Sequence, residues 1–566
     1  MKKFAYLFIF ANTYIWGILG LVHDILPIYN SFTTKYIDII MDNSSLKTCP
    51  LLKKSLEEWH FSQSKLMSLP LDNEKENYVR RNVKDAIFSM VLPTPLQTEL
   101  KMVAYSDDAM TNILDMDPLV ANTSDFAEFI AGNKILPSGT PLAHRYGGHQ
   151  FGYWAMQLGD GRALLLGEYV NSAGERWELQ LKGAGRTPYS RDADGRAVLR
   201  SSVREFLCSE AMYYLGVPTS RAAALVVSKD AVLRDQFYNG FMKTERAAVV
   251  LRLAPSWFRF GSLEILAHNK EFALLRKLLD FIINEHYPRL SRGDENKYIQ
   301  LFNTIAHKTM DTVVDWMRVG FTHGVINTDN MSILGITIDY GPFGFVEAYD
   351  SEFIPNTSDR EGRYSYIKQL EIALWNLEKL SEALVPVLNE SQILGMSAIL
   401  QTTFLKKLGL KEDLDAVADH ELISVLLQMM EDTGADFTLT FRQLGDVAMK
   451  NLKNPDVLGQ HWSLQRLAGH AKYNTFIDAY ENRLKKERGT DKERMKLMSK
   501  TNPRYILRNW MAQSAIEKAE KDDFSEVRFL FQLLKNPYVH NEDAELRGYT
   551  DPPPKWASTI KVSCSS

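Results

Sequence analysis

Asn330 and Asp339 are the residues whose types and spacing point most directly to chemistry. They lie in a run from Phe321 to Gly341 whose polar residues are interrupted by glycines and by two short apolar segments, 331–334 and 336–338. That pattern predicts a loop, a strand, a turn and a second strand ending on Asp339, Tyr340 and Gly341. A loop amide and a strand-end carboxylate are hard oxygen donors of the kind that hold Mg²⁺ against nucleotide phosphates. Asp329, directly before the Asn, is the nearest carboxylate able to accept a proton from an attacking hydroxyl.

Kinase-type sites use this order of parts, with the catalytic Asp five residues before the metal-binding Asn. Here that position is Val325, so the usual base is missing and Asp329 is its replacement. Upstream, Gly159, Asp160, Gly161 and Arg162 predict a tight turn whose backbone N–H groups stay free to cover phosphates. Taken alone, an Asp-Gly turn is better read as a hairpin with no ligand. Trp177 to Lys182 alternates as a half-buried strand and ends on its lysine. Glu205 follows 23 residues later, on a helix predicted from Arg196 to Leu215. Leu199, Val203, Phe206 and Leu207 share one face of that helix, and Gly216 and Pro218 stop it. A strand lysine paired with a helix glutamate positions phosphates in kinases. An isolated Lys and Glu would be read as unrelated surface groups, but four elements in kinase order outweigh that reading. Arg252 and Arg259 flank a bend at Pro255 and are either structural cations or phosphate clamps.

The rest of the chain must position these groups. At 566 residues it is long enough for two lobes with sizeable cores, and its 45% hydrophobic and 24% charged residues fit an ordinary globular body. A net charge of −4 gives no electrostatic case for a nucleic-acid partner. Helical apolar spacing marks 272–283, 302–317 and 367–388, with further helices expected at 422–430, 471–485 and 503–518. Cys49, Cys208 and Cys564 have no metal-ligand spacing, and Cys208 reads as a buried helix residue. Lys2 and Lys3 precede an apolar run from Phe4 to Val22, which suits a secretory signal or membrane anchor; any membrane contact is expected through residues 4–22 alone.

The blocks at 146–162, 178–207, 252–261, 323–344 and 502–513, with the final Val562 to Ser566, resemble the selenoprotein O family over roughly residues 75–566. The resemblance implies an α+β, protein-kinase-like fold of two lobes. The N-terminal lobe would be mixed β/α over 76–255, and the C-terminal lobe mainly helical over 256–540. An apolar leader (1–30) and an extension (31–75) would precede them, and a tail (541–566) would follow. It implies transfer of AMP, with loss of pyrophosphate, from an ATP bound in flipped orientation to Ser, Thr or Tyr hydroxyls of proteins. Carried over by position, Gly159, Gly161, Arg162, Lys182, Asp194, Gly195, Arg252, Arg259 and Asp339 would contact ATP. Asn330 and Asp339 would hold Mg²⁺ (or Mn²⁺), Glu205 would support Lys182, and Asp329 would be the proton acceptor. A short insertion is expected near 230–244. The resemblance implies a mitochondrial protein, against the secretory or membrane-anchored alternative of the leader. It also departs at one point: Pro355 stands where relatives carry a cysteine that pairs with the tail Cys564, so a redox switch of that kind is in doubt. An ordinary kinase using Asp329 as base, or an inactive ATP-binding scaffold, are the competing readings.

Overall fold

Between residues 71 and 254, alternating and wholly apolar segments pair into one nine-stranded sheet. From one edge its strands are Leu71–Asp72, Phe88–Met90, Leu142–His144, Ala163–Val170, Arg176–Lys182, Met242–Ala254, Arg221–Asp235 and Lys101–Tyr105. Ala197–Val198 adds to the Met242–Ala254 strand, and only the first pair is parallel. The computed structural model describes residues 51–563 apart from 73, 75–78, 80, 291–295, 389–405, 411–415 and 488. The apolar leader, much of the predicted extension, Cys49 and Cys564 lie outside the described residues. Among the described residues no helix is long and apolar enough to cross a membrane.

Register decides which side chains meet. Lys182 lies opposite Ala163 and Val250, and Gln180 opposite Arg252. Side chains two apart on a strand, and directly opposite across a pair, share a face. Gln180, Lys182 and Arg252 therefore project together. The helix Leu199–Tyr214 packs beside them and is buried along most of its length, including Val203, Phe206, Leu207 and Cys208. It starts three residues later than the sequence predicts, because Ala197 and Val198 are taken up by pairing with Ala248 and Ala247. The expected insertion at 230–244 is the outer part of the long hairpin formed by Arg221–Asp235 and Met242–Ala254.

Beyond residue 259 the chain is mainly helical. Phe272–His286, Lys297–Val319, Gln369–Leu384, Ala416–Thr433 and Tyr473–Lys486 correspond to predicted helices, with ends moved by several residues. The stripe Phe302, Ile305, Val313 and Trp316 is buried as the spacing requires. Two expectations fail. Residues 503–508 are not helical, and the helix there is Asn509–Ala519; Arg508 instead donates to the buried Asp436 at 2.7 Å. The two strands expected at 331–334 and 336–338 reduce to isolated bridges, Met331 with Thr337, Ser332 with Arg259 and Thr337 with Thr219. Only Gly335 separates the segments, in the left-handed region at φ 65°, so the chain turns back before a ladder can form. Near the C-terminus, the Thr357 N–H donates to the Val562 carbonyl at 2.9 Å, and Ser563 Oγ donates to the Gln236 carbonyl. The tail is thus held at Thr357 and Gln236 by hydrogen bonds that need no thiol.

The sheet-bearing and helical parts are joined by a buried ion pair. Arg145 donates to both oxygens of Glu271 at 2.7 and 2.8 Å, and to the Ala86 carbonyl at 3.0 Å. Glu271 stands at the N-cap position of the helix Phe272–His286. Arg145→Ala leaves that carboxylate buried without its partner, and urea unfolding is expected to show a loss of roughly 3–5 kcal/mol. A loss under about 1 kcal/mol, the scale of an exposed pair, would contradict this role.

Candidate functional site

Three cations and two carboxylates converge where the sheet meets the helical part. Lys182 Nζ lies 2.6 Å from Glu205 Oε2 and 3.6 Å from Asp339 Oδ1. Arg252 donates to Glu205 Oε1 at 2.7 Å and to Asp339 Oδ1 at 2.5 Å, and its other amino group donates to Gln180. Arg259, at the N-cap of the helix Phe260–His268, donates to Asp339 Oδ2 and to the Asp329 carbonyl, each at 2.8 Å. Burial alone would push the Asp339 carboxyl up, but Arg252, Arg259 and Lys182 hold it well below the usual range. Burial lowers Lys182 and Arg162, opposed in both by Glu205 and Asp339. The lysine–glutamate pair expected from sequence is therefore formed, and the two arginines join it. Asp339 itself has φ 58°, a conformation that a non-glycine residue holds only when its surroundings impose it.

Asp329 and Asn330 sit in the short turn Thr328–Asn330. The Asn330 amide donates to the Val325 carbonyl at 3.0 Å, which orients its side chain from a position where kinases carry their base. Burial raises the Asp329 carboxyl to about 7, although Gln150 and Arg259 act the other way. Gln150 Nε2 donates to Asp329 Oδ2 at 3.1 Å, while the buried Oδ1 has no hydrogen-bond partner among the described residues. His323 ties the loop to the next segment, its Nε2 3.0 Å from the Ile338 carbonyl.

The glycine turn differs from expectation. The Asp160 N–H donates to the His144 carbonyl at 2.9 Å and the Gly161 N–H to the Gly159 carbonyl at 2.8 Å, so neither is free for a ligand. These glycines are required by packing: a Cβ on Gly159 would lie 2.5 Å from the Tyr189 ring. The Asp160 side chain, raised to about 6 by burial, accepts from the His144 N–H and from Gln180. Asp194 is held by both amino groups of Arg234 at 2.8 Å, and Gly195 packs so tightly on Gly185 that a Cβ would meet its carbonyl oxygen at 2.1 Å. Sequence reading missed Gln150, Gln180, Tyr146 (whose ring lies 4.4 Å below Arg259) and Arg234. Polar residues next to glycines in 146–162 were the only signal for the first.

Among the described residues no group of three or more His, Cys, Asp or Glu side chains is placed to hold a metal. The candidate oxygen donors are the ionised Asp339 carboxylate, whose two oxygens now accept from Arg252 and Arg259, and the Asn330 amide oxygen. A Mg²⁺ that takes its remaining ligands from phosphates and water needs no more.

A family model described as protein adenylyltransferase SelO matches residues 75–535. The chain is similar to a protein named protein nucleotidyltransferase YdiU from Nitrosospira multiformis, 43% identical over 545 residues that cover 89% of this chain and 95% of the relative. Proteins of the same name from Xanthomonas euvesicatoria pv. vesicatoria and Azoarcus sp. are each 42% identical. They cover 90% and 89% of this chain and 99% of their own lengths.

Asp339→Asn keeps the side-chain shape but removes the charge shared by Arg252, Arg259 and Lys182. The thermal midpoint is expected to fall by several degrees, since stranding buried charge costs roughly 3–5 kcal/mol. An unchanged midpoint would show that the ion-pair cluster does not support the fold.

Proposed function

The chain belongs to the protein adenylyltransferase SelO family, and from that premise we propose how its own residues carry out protein adenylylation. It is a nucleotidyltransferase. In our reading the body is a kinase-like pair of lobes, and the ATP triphosphate lies in the cluster of Lys182, Arg252, Arg259 and Arg162. The observation that carries this reading is the convergence of Lys182, Arg252 and Arg259 on the buried Glu205 and Asp339. A polyphosphate would draw these cations, and they would neutralise the charge that builds on the leaving pyrophosphate. Gln180 positions Arg252, Arg234 positions Asp194, and Glu205 positions Lys182. Asn330 and Asp339 would hold Mg²⁺, with Mn²⁺ as the alternative, and the ion would supply electrostatic neutralisation of phosphate oxygens.

The acceptor is a Ser, Thr or Tyr hydroxyl of a protein. Its oxygen bonds to the α-phosphorus, the bond from that phosphorus to the α–β bridging oxygen breaks, and pyrophosphate leaves. The hydroxyl proton passes to the Asp329 carboxylate. A carboxyl near 7 suits this task, because its conjugate base is stronger than an ordinary Asp and is still substantially present at neutral pH.

ATP labelled on the α-phosphate is expected to label protein, and ATP labelled on the γ-phosphate is not. Label from the γ position alone would establish a kinase, and label from neither an inactive scaffold. The active form of Asp329 is the carboxylate, so kcat/KM should fall about tenfold per pH unit as pH drops below about 7. Asp329→Asn should reduce transfer roughly 10²–10⁴-fold and abolish that dependence. A flat profile from pH 5 to about 8 in the unaltered enzyme would remove Asp329 from the proton-accepting role.

A further inference from the structure

The small hairpin His149–Gln150 and Tyr153–Trp154 has two faces with different employment. Its turn residues, Phe151 and Gly152, have φ of 50° and 89°, as a tight two-residue connection requires. His149 and Trp154 are opposite one another and share the anchored face. His149 Nδ1 lies 2.6 Å from Glu264, and the Trp154 ring stacks on His268 at 3.8 Å. The backbone is fixed as well: the His149 N–H donates to Thr328 Oγ1 at 2.7 Å, and the Phe151 N–H to Tyr364 Oη at 2.8 Å.

The other face belongs to Gln150 and its cross-strand partner Tyr153. Gln150 occupies one oxygen of Asp329, whereas Tyr153 is 80% exposed, Met156 is 70% exposed and Phe151 is 37% exposed. Tyr153 thus stands in water on the hairpin whose Gln150 touches a buried carboxylate with no partner on its second oxygen among the described residues, while Phe151 packs on Tyr364 and Met156 follows two residues after the hairpin. Exposed side chains of this size next to a candidate site offer apolar contact to an incoming chain. An acceptor hydroxyl must come within about 2.6–3.2 Å of the Asp329 carboxylate. The group now at that distance is the Gln150 amide, and the surface leading to it is Tyr153.

We propose that this hairpin is the docking platform for the acceptor polypeptide, and that a hydroxyl-bearing segment with apolar flanking residues lies across Tyr153 and Met156 and displaces the Gln150 amide from Asp329. The inference rests on Asp329 being the proton acceptor. It adds the chemistry of the partner: apolar neighbours on either side of the modified residue.

The test uses full-length enzyme, ATP labelled on the α-phosphate, and short peptides carrying one Ser, Thr or Tyr flanked by leucines or by aspartates. The unaltered enzyme should label the leucine peptides with a KM roughly tenfold lower, the scale of losing one or two packed apolar contacts. In Tyr153→Ala/Met156→Ala that advantage should vanish, with kcat, ATP affinity and thermal midpoint unchanged. Gln150→Ala, which removes the group to be displaced, should lower the KM for leucine peptides. Equal labelling of both peptide classes by the unaltered enzyme, or a preference that survives in the double variant, would overturn the docking platform alone. An unchanged or raised KM in Gln150→Ala would overturn the displacement. No label on any peptide from the unaltered enzyme would overturn the transfer reading and the docking with it.

Discussion

Three cations meeting two carboxylates is the constraint on which the rest of this structure depends. Lys182, Arg252 and Arg259 come from two strands and a helix cap, and they share Glu205 and Asp339 between them. Removing such charges from water is costly, and only close pairing offsets it. Every part of the surroundings serves that pairing. The register of Arg176–Lys182 against Met242–Ala254 sets Gln180 and Arg252 side by side. The buried helix Leu199–Tyr214 delivers Glu205, and the unusual backbone of Asp339 turns its carboxylate toward all three cations. Asp160 and Asp329 also lie within electrostatic reach of Arg259, so the cations are balanced by carboxylates around them.

Arg259 links this cluster to Asp329, the proposed proton acceptor. One of its amino groups bridges the Asp339 carboxylate and the Asp329 carbonyl, so the groups assigned to phosphate and to the acceptor hydroxyl cannot drift apart independently. The two carboxylates nevertheless have opposite environments. Asp339 is held ionised by its cations, while burial with fewer partners pushes Asp329 up to about 7. That divergence separates a permanently charged carboxylate from one that can take up a proton.

Much of this was legible in the sequence, because local periodicity reports local structure. Alternation from Trp177 to Lys182 places the lysine at a strand end, and the spacing of Leu199, Val203 and Phe206 places Glu205 on a buried helix. The misses are long-range. Gln150 reaches Asp329 across 179 positions, and Arg234 reaches Asp194 across 40; no periodicity encodes either contact. The glycine turn was legible only in part, for another reason. Gly159 and Gly161 are needed where Tyr189 presses against the backbone, and packing glycines have the same sequence signature as phosphate-binding ones. The segment 331–338 was misread because its apolar residues are spaced like strands but have room only for bridges.

The central claim is that the cationic cluster is a seat for the β- and γ-phosphates, whose departure as pyrophosphate it assists. Calorimetric titration of the unaltered protein with ATP and with AMP, in the same magnesium buffer, tests it most directly. ATP is expected to bind roughly hundredfold or more tightly than AMP, since charge-assisted contacts to two phosphates are absent from the monophosphate. Equal affinities for the two nucleotides would contradict it.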